Sequence, residues 1–225
     1  MEKHKCWVCL QEIEKNLESD RWRKADAPMK YWYEMLDAER EVLEKKLLEI
    51  KPRTVLEIGA GTGRIINILL KNSNAKIVST EENREVFERV KKRFQKNKRV
   101  EIIFSEGTLP TNKKFDLVVC MMNTLGNQVN ENKIIEYVLS ISDKMIFTVY
   151  KKGSEQIRKE IYKLRDHEDF TLTDSCFYFN DYWCKGLISK TYSKKDIEET
   201  CNKFDCRIKI SELSKIAYVV EVNRR

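Results

Sequence analysis

Short β-branched runs alternate with longer amphipathic runs through the middle of this chain. Five short apolar runs are predicted to be strands, at residues 54–58, 76–80, 100–104, 115–121 and 145–150. Three intervening runs repeat their apolar residues every three or four positions, which predicts helices at residues 64–71, 84–94 and 132–140. Alternation of strand and helix is typical of a parallel sheet with helices on both faces.

The segment before the first strand is helical in pattern. Residues 10–50 show the pattern, with a break around residues 19–28, and Pro52 ends it. Within the second piece, apolar residues including Trp32, Met35 and Leu36 recur at helical intervals. We therefore predict N-terminal helices, and we expect them near the carboxyl ends of the strands.

The chain beyond the fifth strand follows a different pattern. A further helix and two extended segments are predicted at residues 155–165, 170–180 and 187–192. Ser193 is a candidate N-cap for a helix through Lys203, with acidic residues near its start. The runs at residues 207–210 and 216–222 lie too close together for a parallel crossover, so they predict an antiparallel hairpin.

Composition narrows the class of protein. The 225 residues are 41% hydrophobic, which is enough for a sizeable core and argues against a disordered chain. The formal net charge of +7 permits an anionic partner without requiring one, because the 43 bases and 36 acids are interspersed. No run reaches the roughly 20 apolar residues of a membrane span, and residues 1–5 carry no signal-peptide core. We expect a cytoplasmic protein with no membrane partner, and the oligomeric state stays open.

The seven cysteines are expected to be ordinary thiols. Cys6 and Cys9 have the spacing of zinc ligands, but no second such pair completes a tetrahedral site. Structural zinc is the alternative at this pair. No cluster of carboxylates and histidines is evident elsewhere, so we expect no catalytic metal.

A glycine-rich segment follows the first predicted strand and precedes a helix. It reads Glu57-Ile58-Gly59-Ala60-Gly61-Thr62-Gly63, and bare backbone at this place lets a ligand approach the helix N–H groups. The dinucleotide-binding fingerprint would need a third glycine where Arg64 stands. The segment instead resembles motif I of the class I S-adenosylmethionine-dependent methyltransferases, an acid followed by three alternating glycines.

Three later segments are similar to the same family's motifs, in the same order. Glu81 ends the second strand, where a carboxylate can accept both hydroxyls of a ribose, and residues 81–87 resemble the run that follows in the family. Residues 104–108 resemble its adenine-binding turn, and residues 115–119 resemble its fourth strand. The match covers roughly residues 54–150 and implies a Rossmann-like α/β fold, with a seven-stranded, mostly parallel sheet and a C-terminal antiparallel hairpin.

The resemblance implies S-adenosylmethionine as cofactor and a single methyltransferase domain over residues 1–225. Within that domain we expect N-terminal helices (1–52), a cofactor-binding core (53–150), a substrate cover (151–205) and a terminal hairpin (206–225). The residues implied in cofactor binding are Glu57, Gly59, Ala60, Gly61, Gly63, Glu81, Glu82, Glu106, Gly107, Thr108 and Met121. For Met121 the alternative is a core position, and at Glu106 the alternative is a turn that uses only its backbone. Asp116 opens a strand and is interpreted as a local cap with no catalytic role.

The acceptor side is less clearly marked, and no catalytic residue is identified. Candidates to contact the acceptor are Asn123 and Asn127, after the fourth strand, and Tyr31 in the N-terminal helix. For the helix around Tyr31 we favour packing, with Trp32 in the core and the tyrosines as cover, and closure over the cofactor is the alternative. His167 is interpreted as an exposed residue at a helix end, with a general base as the alternative.

A small-molecule acceptor is the leading hypothesis. The Asn-Pro-Pro motif of base and glutamine amino methyltransferases is missing, since no proline follows Pro110. The strongest basic run, at residues 91–99, is expected at the far end of the sheet from the ligand, and residues 151–205 contain eleven bases and eleven acids. Aromatic residues around 178–183 are expected to enclose the acceptor, and packing of this segment on its own domain is the alternative. The alternatives are an RNA- or protein-directed methyltransferase and a non-catalytic cofactor-binding module.

Overall fold

A sheet with helices on both faces forms the centre of the molecule. The computed structural model describes residues 21–109, 113–165, 167–180 and 186–225, together with Lys15 and Ser19. The zinc-ligand spacing at Cys6 and Cys9 and the aromatic residues at 182 and 183 lie outside the described residues.

Six helices and ten strands are described in chain order. The helices are α1 (Met29–Ile50), α2 (Arg64–Asn72), α3 (Arg84–Phe94), α4 (Glu131–Ile141), α5 (Glu155–Leu164) and α6 (Lys194–Cys201). The strands are β1 (Thr54–Ile58), β2 (Lys76–Glu81), β3 (Val100–Phe104), β4 (Leu117–Cys120), β5 (Lys144–Lys151), β6 (Phe170–Thr173), β7 (Cys176–Phe179), β8 (Ile188–Tyr192), β9 (Cys206–Glu212) and β10 (Ala217–Arg224). Short 3₁₀ helices lie at Arg21–Lys24 and Leu125–Asn127.

The strand order confirms the predicted mostly parallel sheet with a terminal hairpin. Strands β3, β2, β1, β4 and β5 lie side by side and run parallel. Strand β10 pairs antiparallel with β5 on one side and with β9 on the other. The carboxyl ends of β1, β2 and β4 therefore meet at one edge of the sheet, which is where open α/β sheets bind ligands.

Three further strands extend this sheet beyond the seven predicted ones. Strand β8 pairs with β5 through Tyr150 with Thr191 and Lys151 with Tyr192, and β7 and β6 follow it antiparallel. The sequence pattern predicted one extended piece at residues 170–180. The structure folds this piece into a hairpin at Asp174 and Ser175, which have φ of +48° and +64°. Aspartate tolerates this left-handed region better than most residues, and no glycine marks the turn.

Each face of the sheet carries its own hydrophobic core. On one face, α1, α2 and α3 place residues such as Leu43, Leu69 and Val90 against β1 and β4. On the other face, α4 and α6 cover the sheet with Ile135, Val138 and Ile197, among others. Because β4 is buried on both faces, its sequence is a continuous apolar run without alternation.

Candidate cofactor and acceptor site

The glycine loop between β1 and α2 has a fixed backbone. Gly59, Gly61 and Gly63 have φ of +85°, +52° and +90°, a region that favours glycine. The N–H groups of Gly59 and Ala60 donate to the carbonyl of Thr80 at 3.0 and 2.8 Å, which holds the loop against the end of β2. The loop therefore lies at the carboxyl ends of the two central strands.

The three glycines face different surroundings. A Cβ on Gly59 would lie 2.5 Å from Thr124 Cγ2, and a Cβ on Gly63 would collide with the Phe94 ring. A Cβ on Gly61 would meet no atom within 4 Å. Gly59 and Gly63 are thus required for packing, whereas Gly61 borders open space.

Glu81 lies at the end of β2 and faces the glycine loop. Its Oε2 accepts the Gly61 N–H and its Oε1 accepts the Asn83 N–H, both at 2.9 Å. Burial raises the pKa of this carboxyl above its usual value, and the N–H bonds from Asn83 and Gly61 act against that shift. A carboxylate has lone pairs to spare after two such bonds, so it can also accept ribose hydroxyls.

Glu57 is buried on β1, two residues before the loop. Its Oε2 accepts the Ser79 hydroxyl at 2.6 Å, and its Oε1 has no hydrogen-bond partner. Burial raises the pKa of Glu57 to about 8, although the Ser79 bond and the charge of Arg64 lower it. A buried acceptor without a donor is costly, so this oxygen fits a ligand that brings a donor or a positive charge.

The ends of β2 and β3 bring the other predicted cofactor residues together. Glu82 and Glu106 are exposed, and Gly107 is buried with φ of +86°. Although the residue as a whole is exposed, partial burial of the Glu82 carboxyl raises its pKa. A hydrogen bond with Gln128 lowers this pKa, and the nearby charge of Glu106 raises it. The hydroxyl of Ser105 donates to the carbonyl of Thr108, which closes the turn. Met121, also predicted here, is buried in the core beneath the site.

Sequence reasoning missed Glu39, a fully buried acid in α1. Its Oε2 pairs with the Arg64 guanidinium, and its Oε1 accepts the Met122 N–H at 2.8 Å and the Thr148 hydroxyl. These bonds tie α1 to the first turn of α2, to the loop after β4 and to β5. One signal in the sequence could have revealed Glu39. It is an acid three residues after Leu36, which places it on the apolar stripe of the helix.

The predicted acceptor-side asparagines lie together, and Asn123 is already engaged. Its Oδ1 accepts the Tyr150 N–H at 3.1 Å, and its Nδ2 donates to Ser189 Oγ at 3.0 Å. The Asn127 side chain lies 3.2 Å from Nδ2 of Asn123. The Asn123 amide thus joins β5 to β8, and contact of either asparagine with an acceptor stays a prediction.

Tyr31 and its neighbours confirm the packing interpretation for Trp32. Trp32 and Tyr33 are buried in the core. Tyr31 is half-buried, and its hydroxyl accepts from Lys215 Nζ at 3.1 Å while the Lys215 ammonium also lies 4.3 Å from its ring centre. A role for Tyr31 toward an acceptor stays a prediction.

Asp116 acts as the local cap that its position at the start of β4 predicted. Its Oδ2 accepts the N–H groups of Arg53 and Thr54 at 2.7 and 3.0 Å. Partial burial opposes ionisation, but these bonds lower the pKa of Asp116 overall. The residue joins the starts of β1 and β4, opposite the ligand end of the sheet.

The interpretation of His167 is wrong, and that of the basic run holds for only part of the run. His167 was expected to be exposed, but it is only 4% exposed and packs on the Phe179 ring, because the β6–β7 hairpin covers it. The basic run was expected at the far end of the sheet from the ligand, and Arg99 does lie there, donating to carbonyls at the end of α2. Arg93 departs from this expectation, because it donates to the Thr62 carbonyl at 2.6 Å. The last turn of α3 reaches the loop because Phe94 packs against Gly63.

The described residues hold no group of three or more histidine, cysteine or acidic side chains that could bind a metal ion.

None of the described helices is both long enough and apolar enough to cross a membrane.

A family model and one curated relative match the sequence. Residues 55–142 match the family model described as a methyltransferase domain. A protein of Methanocaldococcus jannaschii, MJ0046, which carries a provisional methyltransferase name, is 39% identical over 82 residues. That alignment covers 33% of this chain and 31% of the relative, so the chain spans less than a third of the relative's length.

Solved structures share the fold. An S-adenosylmethionine-dependent methyltransferase from Clostridium acetobutylicum superposes with a TM-score of 0.64 at 14% identity, covering 97% of this chain and 99% of that one. The N-terminal domain of EvdMO1, solved in the presence of S-adenosylhomocysteine and D-fucose, superposes with a TM-score of 0.59 at 15% identity, covering 82% of each chain. The domain match over residues 55–142 and the strand order together show a methyltransferase domain with the Rossmann-like methyltransferase fold.

Proposed function

We propose that this protein transfers the methyl group of S-adenosylmethionine to a small-molecule acceptor by direct in-line displacement. The observation that carries the proposal is the open space beside Gly61, with the Glu81 carboxylate at its edge. The cofactor supplies the reactive methyl group. The protein's part is to align the acceptor with it and to exclude water.

The cofactor would lie along the carboxyl ends of β1, β2 and β3. Its methionine end would cover the loop from Gly59 to Gly63. Its ammonium group would supply the positively charged donor that Oε1 of Glu57 lacks. The ribose would bind Glu81, and the adenine would reach the turn from Glu106 to Thr108. Because an ammonium group favours an ionised carboxyl, cofactor binding would lower the pKa of Glu57.

Replacement of Glu81 by alanine tests the ribose position. We expect S-adenosylmethionine to bind about 10- to 100-fold more weakly, because a charge-assisted hydrogen bond contributes roughly 1.5–3 kcal/mol. Isothermal titration calorimetry measures the affinity. Glu85→Ala, an exposed acid in the first turn of α3, is the matched control and should bind as the wild type does. Equal affinities in the two variants would show that the ribose lies elsewhere.

The acceptor would enter between the loop after β4 and the segment from α5 to β8. Equal numbers of bases and acids in residues 151–205 support a small acceptor, since a nucleic acid would need a basic surface there. Aromatic side chains in the same segment, including Phe177 and Phe179, support an enclosed, water-poor site.

Charge removal from the basic run tests whether nucleic acid is the acceptor. We expect the triple variant Lys92→Gln, Lys96→Gln, Lys98→Gln to keep methyl transfer within about twofold, because exposed charges on a helix end add little. Arg93 is left in place because it holds the glycine loop. Initial rates with labelled S-adenosylmethionine and a cell extract give the comparison. Loss of transfer in this variant would favour an RNA acceptor.

Transfer of a labelled methyl group into a cell extract tests the function as a whole. The extract is separated after reaction into protein, RNA and a low-mass fraction. Label in the low-mass fraction supports the proposal. Label confined to RNA or to protein points to a macromolecular acceptor, and binding of the cofactor without transfer to any fraction points to a non-catalytic module.

A further inference from the structure

Arg158, in α5, is a buried cation without an anionic partner. The residue is 1% exposed. Its Nη2 donates to the Tyr162 hydroxyl at 2.5 Å and to Ser189 Oγ at 2.6 Å. Its Nε and Nη1 have no hydrogen-bond partner, and no described carboxylate pairs with the guanidinium. Three of its five N–H bonds therefore lack an acceptor.

Aromatic rings surround the guanidinium on the remaining sides. Its Cζ lies 3.9 Å from the ring centre of Tyr150 and 4.7 Å from that of Phe177. Cation–π attraction offsets part of the cost of burying the charge, but a ring face does not replace an in-plane acceptor for Nε and Nη1. Buried charges in proteins are normally paired and fully hydrogen-bonded, so this arrangement is incomplete without an anion.

The position of Arg158 connects it to the acceptor side of the site. Ser189, which accepts from Arg158, also accepts from Asn123 Nδ2 at 3.0 Å. Thr124, which follows Asn123 in the sequence, packs against Gly59 of the glycine loop. Tyr150 lies near the carboxyl end of β5, the end at which α/β sheets bind ligands. Arg158 is thus joined to the glycine loop through a short chain of contacts.

We propose that Arg158 binds an anionic group, a carboxylate or a phosphate, on the methyl acceptor. This inference rests on the proposed function and narrows its substrate class to small organic anions. Oxygen atoms of the anion accept the free N–H groups of Nε and Nη1, while Tyr150 and Phe177 flank it. For the anion to reach the guanidinium, strands β6, β7 and β8 must move away from α5. These strands join the rest of the sheet through only two residue pairs between β8 and β5.

Thermal unfolding with three probes tests the anion site without needing the acceptor. The probes are sodium phosphate, sodium benzoate and neutral benzamide, each at an ionic strength matched with sodium chloride. We expect phosphate or benzoate to raise the melting temperature of the wild type by about 3 °C or more at ten times its dissociation constant. Benzamide should give no shift. Phosphate and benzoate distinguish a phosphorylated acceptor from a carboxylated one.

Variants locate the site. Arg158→Met should remove the anion-dependent shift, and it should still fold because it leaves no buried charge unpaired. Lys163→Met removes one exposed charge from the same helix and should keep the shift. If Arg158→Met does not fold, Arg158→Lys takes its place and should show a smaller shift than the wild type. No shift with either anion, an equal shift with benzamide, or a full shift in the Arg158 variant overturns the proposal.

Cofactor affinity separates this inference from the proposed function. Arg158→Met should bind S-adenosylmethionine as the wild type does. A loss of cofactor binding in this variant would assign Arg158 to the cofactor and overturn the proposal. If the wild type fails to bind S-adenosylmethionine, the proposed function fails, and the unfolding shifts still decide whether Arg158 binds an anion.

Discussion

Replacement of Gly61 by valine is expected to abolish cofactor binding while the protein keeps its fold. A Cβ at this position meets no protein atom within 4 Å, so a side chain would project into the space proposed for the cofactor. The φ of +52° costs a non-glycine residue roughly 1–2 kcal/mol, which a domain of this size tolerates. We expect at least about a 100-fold loss of affinity for S-adenosylmethionine by calorimetry.

Gly153→Val is the matched control for this prediction. Gly153 also has a positive φ, of +92°, and a side chain there also meets open space, but it lies in the turn after β5. This variant carries the same kind of backbone strain and should bind the cofactor normally. Undiminished affinity in Gly61→Val, or an equal loss in both variants, would show that the loop does not face the cofactor.

Replacement of Glu39 by alanine is expected to lower the free energy of unfolding by about 3–5 kcal/mol. The change leaves the Arg64 guanidinium without its carboxylate partner, and it removes the acceptor of the Thr148 hydroxyl. It also removes one of the two acceptors of the Met122 N–H, which keeps its bond to Thr148 Oγ1. Urea unfolding followed by circular dichroism gives the free energy and its slope against denaturant.

Two further substitutions in α1 separate charge from shape. Glu41→Ala removes an exposed acid two residues away and should change stability by less than about 1 kcal/mol. Glu39→Gln keeps the shape and one carbonyl acceptor, so its loss should be smaller than that of Glu39→Ala. If Glu39→Ala is no less stable than Glu41→Ala, the buried pair does not hold these elements together.

Regular elements were predictable because their signals are local. The pattern at residues 54–58 and 84–94 gave the observed bounds of β1 and α3, since apolar spacing and flanking polar residues mark both ends. The hairpin at residues 170–179 was not predictable in the same way. Its turn uses Asp174 and Ser175 in place of glycine, and only pairing with β8 fixes its register.

The site was predictable in outline and not in its contacts. The spacing of the glycines located the loop, but it could not show that Gly59 and Gly63 serve packing while Gly61 faces open space. Two features depend on how distant segments pack: the contact of Arg93 with Thr62, and the lack of acceptors for Nε and Nη1 of Arg158. Such contacts are set by tertiary structure, and no single segment encodes them.

A crystal structure of the complex with S-adenosylhomocysteine tests the central claim most directly. Our account predicts the ribose hydroxyls within hydrogen-bond distance of the Glu81 carboxylate, the amino acid end over Gly61, and the sulfur facing the loop that holds Asn123. A ribose bound away from Glu81, or an amino acid end that leaves the space beside Gly61 empty, would contradict it.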